Sequence, residues 1–110
     1  MNKTTTEQHD DFRDVPHVAS VILHQLGGRR FRRMTGAKTF VGQQNDDGTG
    51  WLRFRLPKPR CIIQVTLTAM DTYIVRRLAL NGQERKVCED VYADNLEAVF
   101  TGMTGLYTRL

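Results

Sequence analysis

The hydrophobic period of the chain changes twice. Val15, Val18, Ile22 and Leu26 stand at i, i+3, i+7 and i+11, a spacing that lines one face of a helix. Asp14 is placed to cap it, Pro16 falls in the first turn, where a missing N–H costs nothing, and Gly27-Gly28 ends it. A helix is therefore predicted over 15–26. Beyond it the period becomes two. Residues 31–34 and 38–41 read as one strand interrupted near Gly36, followed by a long polar turn over 42–50. Residues 51–56 alternate: Leu52, Phe54 and Leu56 point to one side, Trp51, Arg53 and Arg55 to the other, as in a half-buried strand. Pro57-Lys58-Pro59 breaks it. A longer strand is predicted over 61–70, with Cys61, Ile63, Val65, Leu67 and Ala69 on its apolar side. Asp71-Thr72 turns the chain into a strand over 73–80, and Asn81-Gly82, a strong hairpin signal, into a return strand over 84–91. The helical period then returns in Tyr92, Leu96, Val99, Phe100 and Met103, with Asp94 and Glu97 in the first turns, where carboxylates complement the helix dipole.

That order predicts an α+β fold: an N-terminal helix, an antiparallel meander of about five strands, and a C-terminal helix packed on one face. At 110 residues the chain has the size of one domain. The domain is expected over 14–110, behind a loose tail over 1–13 that is polar and includes Thr4-Thr5-Thr6. The N-terminus lacks an apolar signal core and no apolar run is long enough to span a bilayer, so a cytoplasmic protein is expected. Cys61 and Cys88 are expected to be reduced thiols on strands, since a disulfide scaffold carries more cysteines.

Charge changes this picture most. Thirteen of the 16 basic residues lie between Gly27 and Lys86, against four of the 12 acidic ones, and both ends are net negative. Such asymmetry creates a field that favours a polyanionic partner, nucleic acid first. Arginine outnumbers lysine, and its planar fork pairs with phosphate and stacks on bases. The clusters are Arg29, Arg30, Arg32 and Arg33 around Phe31; Arg53 and Arg55 after Trp51; Lys58 and Arg60 in the next turn; and Arg76, Arg77, Arg85 and Lys86 about the Asn81-Gly82 hairpin.

The 51–55 strand is the best candidate site, because its alternation sets an indole beside two guanidinium groups, the combination that holds single-stranded nucleic acid. Gln64, Thr66 and Thr68 on the neighbouring strand are suited to phosphate or sugar hydrogen bonds. Lys58, Arg60 and the Arg29–Arg33 cluster are expected to extend the track. No catalytic constellation is found. His17 and His24 share a helical face with no third ligand at metal spacing. Asn45-Asp46-Asp47-Gly48 lacks the ordered ligands of a calcium loop, and the glycines form no phosphate cradle. The reading is of a non-enzymatic protein without cofactor.

Several segments resemble a family of small uncharacterised proteins encoded by bacteriophages and other mobile elements: Met34-Thr35-Gly36-Ala37-Lys38, Leu52-Arg53-Phe54-Arg55-Leu56-Pro57, Met70-Asp71-Thr72-Tyr73 and Thr104-Gly105-Leu106-Tyr107-Thr108. The resemblance spans residues 15–110. It implies an accessory protein made inside a bacterial cell and carries over no catalytic residue. The order of strands followed by a C-terminal helix is also similar to that of single-strand-binding transcriptional coactivators, by topology alone. The expected function is nucleic-acid binding, to single-stranded DNA or RNA, through a basic sheet face. The alternatives are an anti-defence or host-takeover protein that inhibits a bacterial host protein, and a self-assembling structural subunit.

Overall fold

The structure, a computed structural model, describes residues 15–108; the expected tail over 1–13 and the Asp14 cap lie outside them. Helix α1 (His17–Leu26) starts after Pro16, which is itself the N-cap with an extended ψ of 166°. Its buried face is Val18, Ala19, Ile22, Leu23 and Leu26, the predicted stripe widened by its neighbours at i+1.

The next segment corrects the sequence reading. Residues 28–35 form a second helix, α2 (Gly28–Thr35), and not the first half of a strand. Its buried positions are Gly28, Phe31 and Thr35, spaced by three and four. A strand through this segment would put Arg33 on the same side as Phe31. The helix buries Phe31 and leaves Arg29, Arg30 and Arg33 in solvent, which avoids the cost of desolvating a guanidinium.

Both distinctive Thr-Gly pairs end helices. At the end of α2, Thr35 Oγ1 donates to the Phe31 carbonyl at 2.8 Å and accepts from the Ala37 N–H at 3.2 Å. At the end of α3 (Leu96–Thr104), Thr104 Oγ1 donates to the Phe100 carbonyl at 2.9 Å and accepts from the Leu106 N–H at 3.1 Å. The glycines that follow, Gly36 and Gly105, take left-handed φ values of 73° and 78°, which glycine adopts without steric cost.

The sheet is a five-stranded antiparallel meander in the order β1 (Lys38–Gln44), β2 (Gly50–Pro57), β3 (Arg60–Leu67), β4 (Tyr73–Leu78), β5 (Glu84–Val91). Three of its four hairpins share one turn. In each, the N–H of the fourth turn residue bonds the carbonyl of the first: Gly48 to Asn45 at 3.1 Å, Asp71 to Thr68 at 3.1 Å, Gly82 to Ala79 at 2.8 Å. That fourth residue has positive φ each time, 89°, 65° and 91°, the pattern of a tight turn followed by a left-handed residue. These turns shorten the predicted elements. Gln44 and Gly50 belong to strands, so the polar loop is only 45–49, and Thr68 and Ala79 bond Thr72 and Gln83 across the turns, so β3 and β4 stop early. In the first turn Asp47 accepts from the Thr49 hydroxyl and N–H at 2.6 and 3.0 Å, and these bonds hold its carboxyl below the ordinary range. The fourth hairpin turns through Lys58 and Pro59 with a cis peptide bond between them.

All three helices pack on one face of the sheet. Leu52, Phe54 and Leu56 of β2, Cys61, Ile63 and Val65 of β3, and Tyr73 and Val75 of β4 form the sheet side of a single core with Ile22, Leu26, Phe31, Leu96 and Phe100. Phe31 packs edge-on against Phe54 and Phe100, with centroids 5.3 and 5.2 Å apart, a geometry worth ~0.5–1.5 kcal/mol per pair beyond burial. The α1 backbone can approach β1 because Gly42 faces Ala19: a Cβ on Gly42 would lie 2.5 Å from that of Ala19. The Tyr73 hydroxyl donates to Gln25 Oε1 and ties β4 to α1. No helix among the described residues is long and apolar enough to cross a membrane.

Candidate nucleic-acid interface

With the helices on one side, the other face of the sheet is left open by the described residues. Register and alternation assemble it in cross-strand rows. Gln43, Trp51, Thr66 and Ile74 form one row; Val41, Arg53, Gln64, Arg76 and Val87 the next; Arg55, Ile62 and Leu78 a third; Pro57 and Arg60 close the β2–β3 end. Trp51, Arg53 and Arg55 thus share one surface, as their alternation predicted, and Arg60, expected in the turn, opens β3 on the same surface. Trp51 is half-buried and the three arginines are exposed. Lys58 is exposed in the turn beside Arg60.

The Arg29–Arg33 cluster is elsewhere. Phe31 lies against the helix side of Phe54, whose neighbours Arg53 and Arg55 project from the opposite side. The sheet therefore stands between Arg29, Arg30, Arg32 and Arg33 and the Trp51 surface. These four residues do not extend the track, because the α2 turn that buries Phe31 carries them to the far side of the molecule.

On the open face Arg53 is held in two ways. Its Nε and Nη2 both donate to Gln64 Oε1, at 2.9 and 2.6 Å, and its guanidinium carbon lies 5.4 Å from the centre of the Trp51 ring, within cation–π range. Arg76, the next cation in the row, donates to Glu84 Oε1 at 3.3 Å; both side chains are half in water, so this pair is worth ~1 kcal/mol or less. The guanidinium of Arg55 has no partner among the described residues. The neutral partners proposed for sugar and phosphate are less available. Gln64 Oε1 is engaged by Arg53, Thr66 Oγ1 is buried without a hydrogen-bond partner among the described residues, and Thr68 Oγ1 bonds the Thr72 carbonyl at 3.1 Å inside its turn.

The face is also partly apolar. Ile62 and Ile74 are half-buried beside the arginines, and Val41 and Val87 at its margins are 48% and 44% exposed. Arg77, one residue from Arg76, points to the helix side, where its Nη1 donates to the Met103 carbonyl at 2.8 Å. No group of three or more His, Cys, Asp or Glu side chains able to hold a metal ion is found among the described residues. The chain matches no protein-family model, no curated protein and no solved structure.

Proposed function

We propose that this chain is a non-enzymatic domain that binds single-stranded nucleic acid across the open face of its sheet. The observation that carries the reading is the row geometry. It sets a half-exposed indole, Arg53, Arg55 and Arg76 on one surface that no helix of the described residues covers. Bases would stack on Trp51, or on Arg53 where it lies over the indole, while Arg55, Lys58 and Arg60 meet successive phosphates. The resemblance to phage-encoded proteins fits an accessory role of this kind inside a bacterial cell. Fluorescence anisotropy with a labelled single-stranded oligonucleotide, at several salt concentrations, tests it. Affinity should fall steeply with salt, because each neutralised phosphate releases counterions, and binding absent at low salt would refute the reading.

A second reading follows from the apolar margin of the same face. Ile62, Ile74, Val41 and Val87 give it the mixed character of a protein-binding surface, on which a host protein or another copy of the chain would sit. Light scattering of the purified chain, and retention of a bacterial partner after nuclease treatment, would favour this reading over the first.

A further inference from the structure

A second basic site lies at the end of the sheet, where β3 begins and the β4–β5 hairpin folds back. It is a cavity of about 290 Å³ whose lining includes Arg60, Arg77, Arg85 and Lys86, with Cys61 and Leu78 as its less polar wall. Four cations converge there, and among the described residues no carboxylate lines the space. Like charges gathered at one cleft repel one another and concentrate positive potential, so an anion is favoured there.

Its cations differ in mobility. Arg77 stands opposite Ile63 on one side and Lys86 on the other, and its Nη1 is fixed on the Met103 carbonyl at 2.8 Å. It is a partly buried guanidinium placed before any ligand arrives, which lowers the ordering cost of binding. Arg60, Arg85 and Lys86 are exposed at the rim and are free to close on a ligand. The volume is at the bottom of the range for small-molecule pockets, ~300–1,000 Å³, so it suits one compact charged group. A single carboxylate would leave most of the positive charge unbalanced. A phosphate dianion offers three oxygens to guanidinium forks and a second negative charge.

We propose that this cavity binds a phosphomonoester group. Two sources share that chemistry: a free phosphate-bearing small molecule, or the terminal phosphate of a nucleic-acid strand. The strand end rests on the function proposed above, and Arg60 connects the two surfaces, since it lines the cavity and also closes the open face opposite Pro57. From Trp51 to Pro57 the β2 strand covers ~20 Å, a path along which a short single strand would bring its end to the pocket.

The test uses the whole chain and three probes: inorganic phosphate and pyrophosphate by calorimetry, and one oligonucleotide with either a terminal phosphate or a terminal hydroxyl. Arg85→Gln combined with Lys86→Gln removes two exposed rim charges without touching the core, and Arg77→Gln removes the fixed one. Phosphate or pyrophosphate should bind, and the rim pair should weaken that binding about tenfold or more. Arg53→Ala with Arg55→Ala should leave it unchanged. A terminal phosphate that tightens oligonucleotide binding, in a manner lost in the rim variant, identifies the strand end as the source. Pocket-dependent phosphate binding with no preference at the strand end identifies a free ligand, and it supports the pocket even if no oligonucleotide binds at all. Failure of phosphate, pyrophosphate and the phosphorylated end alike would overturn the proposal, as would phosphate binding that the rim and Arg77 variants both leave intact.

Discussion

Arg53 lies over the indole of Trp51, its guanidinium carbon 5.4 Å from the ring centre, while Gln64 clamps it from the neighbouring strand. A base arriving at this surface must either displace that guanidinium or stack on it. Trp51 is the single tryptophan of the chain, so its emission reports the event directly. Titration with a short pyrimidine strand should quench the fluorescence in step with binding measured by anisotropy. Trp51→Ala should weaken binding by ~1–3 kcal/mol, and Trp51→Phe by less. Binding with unchanged emission would show that the indole is not the platform.

The two arginine groups on opposite sides of the sheet make a second prediction. Arg53→Ala with Arg55→Ala should lower the slope of log affinity against log salt by ~0.7, the share of the one phosphate contact made by Arg55 with a single strand, and should weaken binding further by removing the stacked guanidinium of Arg53. Arg29→Ala with Arg33→Ala removes the same charge from the far side and should leave the slope unchanged to first order. Both pairs are exposed, so their thermal stability should stay near that of the parent. Equal loss from both pairs would mean that net charge, and not the open face, governs binding.

Thr66 separates a structural role from a binding one. Its hydroxyl is buried between the Trp51 and Ile74 strands without a partner among the described residues. An unpaired buried hydroxyl costs ~1–3 kcal/mol. Thr66→Val should therefore raise the denaturation midpoint and leave oligonucleotide affinity unchanged. A loss of affinity would show that the hydroxyl turns out to meet a ligand.

The open face could be read from the chain because its alternation is strict: Leu52, Phe54 and Leu56 are buried and Arg53 and Arg55 exposed. Where one face of a strand is apolar, a one-residue slip would bury charge, so sequence fixes register. The Asn81-Gly82 turn and the stripe of α1 were legible from turn residues and the helical period, whereas β5 was legible in its bounds and not in its faces: Val87 is exposed and Val91 buried, because its ladder with β4 shifts register. Helix α2 was not. Its buried positions are Gly28, Phe31 and Thr35, and only one of them is a large apolar residue, so the helical period was carried by residues that do not register as hydrophobic. The Arg77 pocket was hidden for another reason. Arg76 and Arg77 are adjacent and equally basic in sequence, and only the ladder, which sets Arg76 against Gln64 and Arg77 against Ile63, assigns them to opposite faces.

The paired Thr-Gly caps give a stability prediction with an internal control. Gly36 and Gly105 have nearly equal φ values, so alanine at either pays the same left-handed penalty, ~1–2 kcal/mol. They differ in space. A Cβ on Gly36 would lie 3.0 Å from Pro57 Cγ, whereas one on Gly105 would meet nothing within 4 Å. Gly36→Ala should therefore be the more destabilising of the two in urea denaturation. The reverse order would mean that the α2 end and the β2–β3 turn are not in contact in solution.

Two buried acids predict how stability responds to alkali. Burial pushes the Cys61 thiol above its ordinary 9.0, against the pull of Arg77, and burial, helped by the Asp71 charge, pushes the Tyr73 phenol above its ordinary 10.0. Each group is neutral when protonated, so in the window above its ordinary value the folded chain keeps a proton that the unfolded chain has lost. The unfolded state then binds fewer protons, and stability falls as pH rises. The contribution is complete below the ordinary thiol value. It declines first with Cys61 and then, from the ordinary phenol value upward, with Tyr73. Urea midpoints should be level from neutral pH to that point and drop beyond it. Tyr73→Phe costs ~1 kcal/mol at neutral pH by removing the donor to Gln25, yet its midpoint should fall less steeply in the upper part of the range. A parent midpoint that stays level through both windows, or a Tyr73→Phe curve parallel to it, would show that neither acid is sealed from water as the packing of β3 and β4 requires.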